Sequence, residues 1–483
     1  MLLLVTSLIT TAACAPARPT PPQVALSTCH LEGLPSRTLC GVLDVAEDRA
    51  NPNGRRIQLR IAVVPAIANV PDPDPVFLLA GGPGNSAIES LGPIVEVALA
   101  QVGNTRDLVL VDQRGTGASN PLDCPLEPET PSLADRFRDH WKSPETFRAC
   151  MAEWDADPRF YTTSIAMQDL DDVRAALGYD KINLWGGSYG TRAALVYLRE
   201  HEDRVRTVTL DGVAPMSFIL PLSLARDAQS ALDTLFADCA ADASCHQAYP
   251  DLQQKWTTLL NGLDAAPAVV RVVHPLTGVP TEITLTREAV ANAVKGQLYE
   301  PLLATLLPFT IVRAAQGDWA PFVAQNARVE DGYHGLYRGL LYAVACTEDL
   351  PFVTHTQLQE AAHGTFPGTA EAFSMESICS VFPRGQLPEG FRNPLQSNVP
   401  VLLLSGALDP VTPPSFAEDA ARTLPDALSV VIPGAGHGTS VRGCVPSIIE
   451  HFIENGTTSA LDTSCLEPLA RAPFFVSFAG PSP

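Results

Sequence analysis

Positive charge is scarce in this chain. Its 483 residues carry 32 Lys and Arg against 53 Asp and Glu, a net charge of −21. No basic cluster interrupts the acidity, which argues against a nucleic-acid partner. Long apolar runs are missing too. After the N-terminal stretch, no segment reaches the roughly 18 uninterrupted apolar residues of a membrane-spanning helix. There is no Cys-x-x-Cys pair and no clustered Cys/His group, so no metal site is expected. No internal repeat shows at periods of about 20–50 residues. What is present is 46% hydrophobic and 18% charged residues, enough to bury a core.

The N-terminus reads as an export signal, although it lacks the usual positive n-region. Met1 to Ala13 is apolar, and a Pro-rich spacer follows from Ala15. Thr11-Ala12-Ala13-Cys14 resembles a bacterial lipoprotein box without its favoured leucine. On this reading Cys14 is either lipidated, the one route to membrane attachment, or removed with the signal. The protein is then periplasmic, envelope-anchored or secreted. Apart from Cys14, ten cysteines fall in neighbouring pairs: Cys29 with Cys40, Cys124 with Cys150, Cys239 with Cys245, Cys346 with Cys379, Cys444 with Cys465. Spacing alone does not fix connectivity. Five local bridges are the simplest reading, and they imply an oxidising compartment.

The organising stretch is KINLWGGSYG, Lys181 to Gly190. Lys181 to Trp185 reads as a short buried strand, and Thr191 to Glu202 as a helix. Between them Gly186-Gly187-Ser188-Tyr189-Gly190 makes G-x-S-x-G in the strand–turn–helix context that the motif requires. Small residues at Gly186 and Gly190 let strand and helix approach, and the strained turn lifts the Ser188 hydroxyl clear of the sheet.

Val76 to Ala80 and Asp107 to Val111 are apolar runs that read as strands buried on both faces, and Val205 to Leu210, Val399 to Ser405 and Ala427 to Ile432 read as further strands of the sheet. Cys40 to Val45 and Ile57 to Pro65 alternate like paired edge strands, with Asn51-Pro52-Asn53-Gly54 as their turn. Helices are expected near Ser90 to Gln101, from Ile165 to Leu177 with Gly178 as C-cap, and from Ser447 to Asn455. Alternating strands and helices argue an α/β fold with a mostly parallel sheet. The pattern stops near Pro215 and resumes near Val399, with helical periodicity and one hairpin (Val269 to Thr286) between. The expected division is a signal and spacer at 1–27, a core at 28–215, a helical cap insertion at 216–394, the rest of the core at 395–465 and a tail at 466–483.

A serine hydroxyl needs an adjacent base, itself oriented by an acid. After Ser188 the chain offers Asp409 in a proline-fixed turn, then His437 in the loop GAGHG. Both follow core strands, at the end where an open α/β sheet forms its site. Asp211, after VRTVTL, is the rival acid; Asp112 reads as a loop anchor, and His451 as a helix-surface residue. Two backbone donors must face the oxyanion. Tyr189 supplies one and Gly82 the other, since Pro83 has no N–H.

AGGPGNS, DQRGTGAS, GGSYGTRAAL, SGALDPVTPP and GAGHG together resemble the prolyl-aminopeptidase and tripeptidyl-aminopeptidase-like branch of the α/β-hydrolases. The resemblance runs from Cys40 to Cys465, with one departure: Ala80 stands where that branch usually has His before GGPG. It implies an α/β-hydrolase fold with an inserted helical cap, no cofactor, and a short peptide or small ester as partner. It also implies cap carboxylates that bind a substrate's free amine. Cys346-Thr347-Glu348-Asp349 resembles the family's Cys-x-Glu segment, which makes Glu348 the expected amine anchor and Asp349 the second choice. The reading is thus a serine hydrolase acting as an aminopeptidase. A carboxylesterase on the same machinery is the alternative, and a catalytically silent envelope lipoprotein a third.

Overall fold

The computed structural model describes residues 23–124, 132–137, 143–327 and 335–478. Cys14 and its signal segment lie outside the described residues. Eleven strands are found among these: β1 Ser27–Thr28, β2 Leu39–Ala46, β3 Arg56–Val64, β4 Val76–Leu79, β5 Leu108–Val111, β6 Ile182–Gly187, β7 Val205–Asp211, β8 Ala268–Val273, β9 Pro280–Leu285, β10 Val401–Gly406 and β11 Ala427–Ile432. Nine of them form one sheet in the order β1-β2-β3-β5-β4-β6-β7-β10-β11. The edge from β1 through β3 to β5 is antiparallel. From β5 to β11 every neighbour is parallel. A parallel sheet needs both faces covered, and the continuous runs VFLL and LVLV are buried at every position.

Alternate residues of those strands feed two different cores. Phe77, Val109, Leu184 and Leu403 face one side, under helices α1 (Thr163–Leu177) and α2 (Tyr189–Glu200). Leu78, Leu108, Trp185 and Leu402 face the other, with Ile449 and Phe452 of a C-terminal helix, Val445–Asn455. Helix α1 starts on Thr162, whose hydroxyl accepts from Ile165 N, and ends on Gly178 at φ 84°. The helix expected near Ser90 to Gln101 is instead two short pieces, Ala87–Ser90 and a π-helical turn at Ile94–Ala98. Pro93 lies between them and has no N–H with which to continue the first.

Between β7 and β10 the chain leaves the sheet. It runs through α3 (Leu220–Ala241), the hairpin β8–β9, α4 (Arg287–Leu298) and further helices up to α5 (Ala370–Cys379). The first part of this stretch has its own core, including Leu232, Trp256, Val290, Ile311 and Phe322. The later part does not: Leu340, Tyr342, Val344, Met375 and Ile378 join the core of the main sheet. The C-terminal segment is likewise packed. Phe474 enters the core of the inserted stretch, and Tyr249 donates its hydroxyl to the Phe475 carbonyl at 2.7 Å.

Five disulfides join Cys29–Cys40, Cys124–Cys150, Cys239–Cys245, Cys346–Cys379 and Cys444–Cys465. Each closes a short loop, for which chain entropy gives about 2–4 kcal/mol of stabilisation, least for the 6-residue separation at Cys239–Cys245. Thiol titration of the unfolded, unreduced mature protein should find no free thiol. A stoichiometric thiol count, or mass mapping with crossed pairs, would contradict this pairing.

Candidate active site

The turn after β6 stores backbone strain at one residue. Ser188 has φ 54° and ψ −122°, outside the regions that L-residues normally adopt. Such outliers persist only where the surroundings hold them. Here Ser188 N donates to Asp211 O at 2.8 Å, and Thr191 Oγ1 donates to Ser188 O at 2.5 Å. The glycines have no spare room. A Cβ on Gly186 would stand 2.4 Å from Gly190 O, and one on Gly190 would stand 2.2 Å from Leu79 O. Side chains there would push helix α2 off the sheet.

Asp409 and His437 meet beyond the ends of β10 and β11. His437 Nδ1 lies 2.8 Å from Asp409 Oδ2. The same carboxylate accepts from Val411 N, Thr412 N and Thr412 Oγ1 at 2.8–2.9 Å, so every face of it is tied down. Burial works against the charge of Asp409, yet His437 and these amides hold its pKa below the usual carboxylate value. Burial also works against an imidazolium at His437, but Asp409 outweighs it and raises the histidine's pKa. The loop around His437 is fixed from two sides. His437 N donates to Tyr299 O at 3.1 Å, and the Tyr299 ring packs edge-on to the imidazole with centroids 5.3 Å apart.

Asp211, the rival acid, has another task. Its carboxylate accepts Thr439 N, Thr439 Oγ1 and Ser440 N at 2.7–2.8 Å, just past His437. Asp112 accepts Ser86 Oγ at 2.5 Å and the amides of Ile88 and Ala118, which fits a loop anchor. His451 is exposed on its helix.

Ser188, Tyr189, Gly82 and His437 line one cavity of about 480 Å³. The inserted stretch also lines it, with Phe218, Leu224 and Tyr299. The two residues chosen for the substrate's amine are placed differently from each other. Glu348 is wholly buried and lies outside the cavity lining, with both carboxylate oxygens taken by Thr163. Asp349 does reach the cavity, but Arg192 holds it at 3.0 and 3.2 Å and Arg392 at 3.3 Å.

The α/β-hydrolase fold family matches residues 74–441 of this chain. The chain belongs to that family. Among curated relatives, it is 26% identical to a protein named serine protease Hip1 from Mycobacterium tuberculosis, over 93% of this chain and 90% of the relative. It is 25% identical to a tripeptidyl aminopeptidase from Streptomyces lividans, over 94% of this chain and 88% of the relative. A shorter match, 27% identical, pairs 30% of this chain with 34% of a proline iminopeptidase from Neisseria gonorrhoeae. Family and relatives together make this hydrolase a serine hydrolase, and the strained serine and the Asp-held histidine are in keeping with that.

Three features of the hydrolase's site were not anticipated from the sequence. The Arg192–Asp349–Arg392 cluster joins helix α2 to a π-helical turn (Ala345–Asp349) and a distant loop. Lys295 of α4 pairs with Glu371 of α5 in the cavity wall. Tyr299 holds the His437 loop. Each depends on pairing across the inserted stretch, for which local periodicity carries no signal. The one available hint was Arg192 itself, a charged residue in the otherwise small and apolar run GTRAALVYL.

Proposed function

We propose that this serine hydrolase is an exported aminopeptidase that releases N-terminal residues from short peptides through an acyl-enzyme. The observation that carries the reading is that a strained Ser188 and an Asp409-held His437 face one cavity walled by the inserted stretch. Ser188 Oγ attacks the scissile carbonyl while His437 Nε2 takes its proton. Asp409 keeps the Nδ1 proton on its own side and stabilises the imidazolium that forms. The amides of Tyr189 and Gly82 face the oxyanion. His437 then protonates the leaving amine and afterwards activates the water that frees the acyl group.

The cavity volume of about 480 Å³ falls within the usual range for small-ligand sites, roughly 300–1,000 Å³, which suits a chain end better than a folded protein. The named activities of the relatives support peptides over other acyl compounds. The five disulfides support an oxidising compartment, and hence export. No described helix is long and apolar enough to cross a membrane. A lipid on Cys14 remains the proposed route to membrane attachment.

One observation favours the alternative, a carboxylesterase. Asp349 and Glu371, both in the cavity wall, are already paired with cations, which weakens their pull on an ammonium group. The two readings part on an assay of the wild-type protein with an aminoacyl anilide, its N-acetylated analogue and a nitrophenyl ester. A charge-assisted hydrogen bond to the free amine is worth about 1.5–3 kcal/mol, or roughly 10–100-fold in kcat/KM over the acetylated analogue. Equal rates on the two anilides, with fast ester cleavage, would decide for the esterase.

A further inference from the structure

Glu348 has its partners at the site without touching the cavity. It lies in a π-helical turn, Ala345–Asp349, which the Cys346–Cys379 disulfide ties to α5. Its Oε1 accepts Thr163 N at 2.7 Å and its Oε2 accepts the Thr163 hydroxyl at 2.8 Å. Thr163 is the first residue of α1, so the carboxylate also faces the positive end of that helix. With its own proton given to Glu348, Thr163 Oγ1 accepts the Tyr189 hydroxyl at 2.7 Å. Tyr189 Oη in turn accepts from Gln113 Nε2 at 3.2 Å. All donors then point one way, from Gln113 through Tyr189 and Thr163 to Glu348.

We propose that Glu348 is a positioning residue: through Thr163 it fixes the Tyr189 side chain, and so the Tyr189 amide that faces the oxyanion. This rests on the reading of Ser188 as nucleophile. The inserted stretch thereby takes part in transition-state stabilisation, beyond forming a wall. The ionised carboxylate fixes this direction. A protonated Glu348 would donate to Thr163 and reverse the chain, which then closes only if the Gln113 amide turns over to offer its oxygen to Tyr189.

The charged and titratable groups around Glu348 act in both directions. Burial pushes its pKa up, to about 7; Arg192 of α2 and the Thr163 amide oppose that, and Asp349 adds to it. Arg392 donates to the Glu348 carbonyl at 2.8 Å, and the buried Tyr189 hydroxyl lies one bond further along the chain. As pH falls through that value, the oriented chain is lost. His437, its own pKa raised, is protonated and idle on the same side of the profile.

The test is a kcat–pH profile for wild type, Glu348→Gln, Thr163→Val and Thr163→Ser, with one anilide. Misplacing an oxyanion donor should lower kcat about 10–100-fold in Glu348→Gln and Thr163→Val, with KM unchanged. Thr163→Ser, which keeps the hydroxyl, should restore the rate. The acid limb of log kcat should steepen towards a slope of two over its first one to two pH units in wild type, and keep a slope near one throughout in Glu348→Gln. Wild-type rates and limb in both Glu348→Gln and Thr163→Val would overturn the proposal. So would a loss confined to KM on free-amine substrates, which would make Glu348 an amine anchor. Fluorophosphonate labelling at Ser188 separates the two levels. No label on wild type defeats the nucleophile reading and this one with it, whereas labelled variants with unchanged kcat defeat this one alone.

Discussion

Replacing Ser188 with alanine should lower turnover by about 10⁶-fold and abolish labelling by a fluorophosphonate probe. Few single-atom deletions act on so much at once. On the proposed function the hydroxyl oxygen forms the acyl bond, and it sits on a residue whose φ of 54° the fold maintains by bonds to Asp211 and Thr191. Alanine keeps the backbone bonds and removes only Oγ. The variant should therefore fold, and its loss of rate reports chemistry rather than structure. What survives is catalysis from the oxyanion-binding amides and from substrate binding alone, about 10³–10⁴-fold over water in comparable triads. Labelling at another residue, or equal labelling of the alanine variant, would move the nucleophile elsewhere.

Replacing Asp409 with asparagine should cost about 10⁴-fold in turnover with little change in KM, by analogy with other orienting acids. Asparagine can still accept from Val411 and Thr412, so the turn survives. It presents an amide where the Nδ1 proton must be accepted, which favours the wrong tautomer of His437. Asp211→Asn is the control. Its carboxylate holds Thr439 and Ser440, so its loss loosens the His437 loop without removing the orienting charge. It should cost far less turnover than Asp409→Asn and should show mainly as reduced stability, about 1–3 kcal/mol for a weakened network of charged hydrogen bonds. The opposite pattern, with both variants folded, would exchange the roles of the two acids.

The turn at Ser188 was legible because its whole logic is local: an apolar strand, two glycines that tolerate close approach, a serine and a helix. Asp409 and His437 were legible because each follows a core strand whose apolar run announces where its end lies. The surroundings of Glu348 were not legible, for the converse reason. A carboxylate in a cap segment reads as a ligand for a cation, and its actual partner, Thr163, lies 185 residues away in the chain. Nothing in the local pattern says that such a group is buried. The inserted stretch was legible as helical but not as divided. Whether Leu340 or Ile311 joins the main core depends on packing between distant segments. The short pieces around Pro93 show the remaining limit: apolar spacing favours a helix there, and a single missing N–H overrides it.

The bond from His437 N to the Tyr299 carbonyl bears on how material passes through the enzyme. Tyr299 belongs to the cavity wall, and the backbone at Gly436 is pressed so close that a Cβ there would stand 2.4 Å from Tyr299 O. Roof and base are thus one piece at this point. A roof that swung away here to admit a bulky chain would pull the base out of line in the same movement. On the proposed function, girth would then decide admission: slender chain ends would thread in while Ser188 and His437 stay aligned.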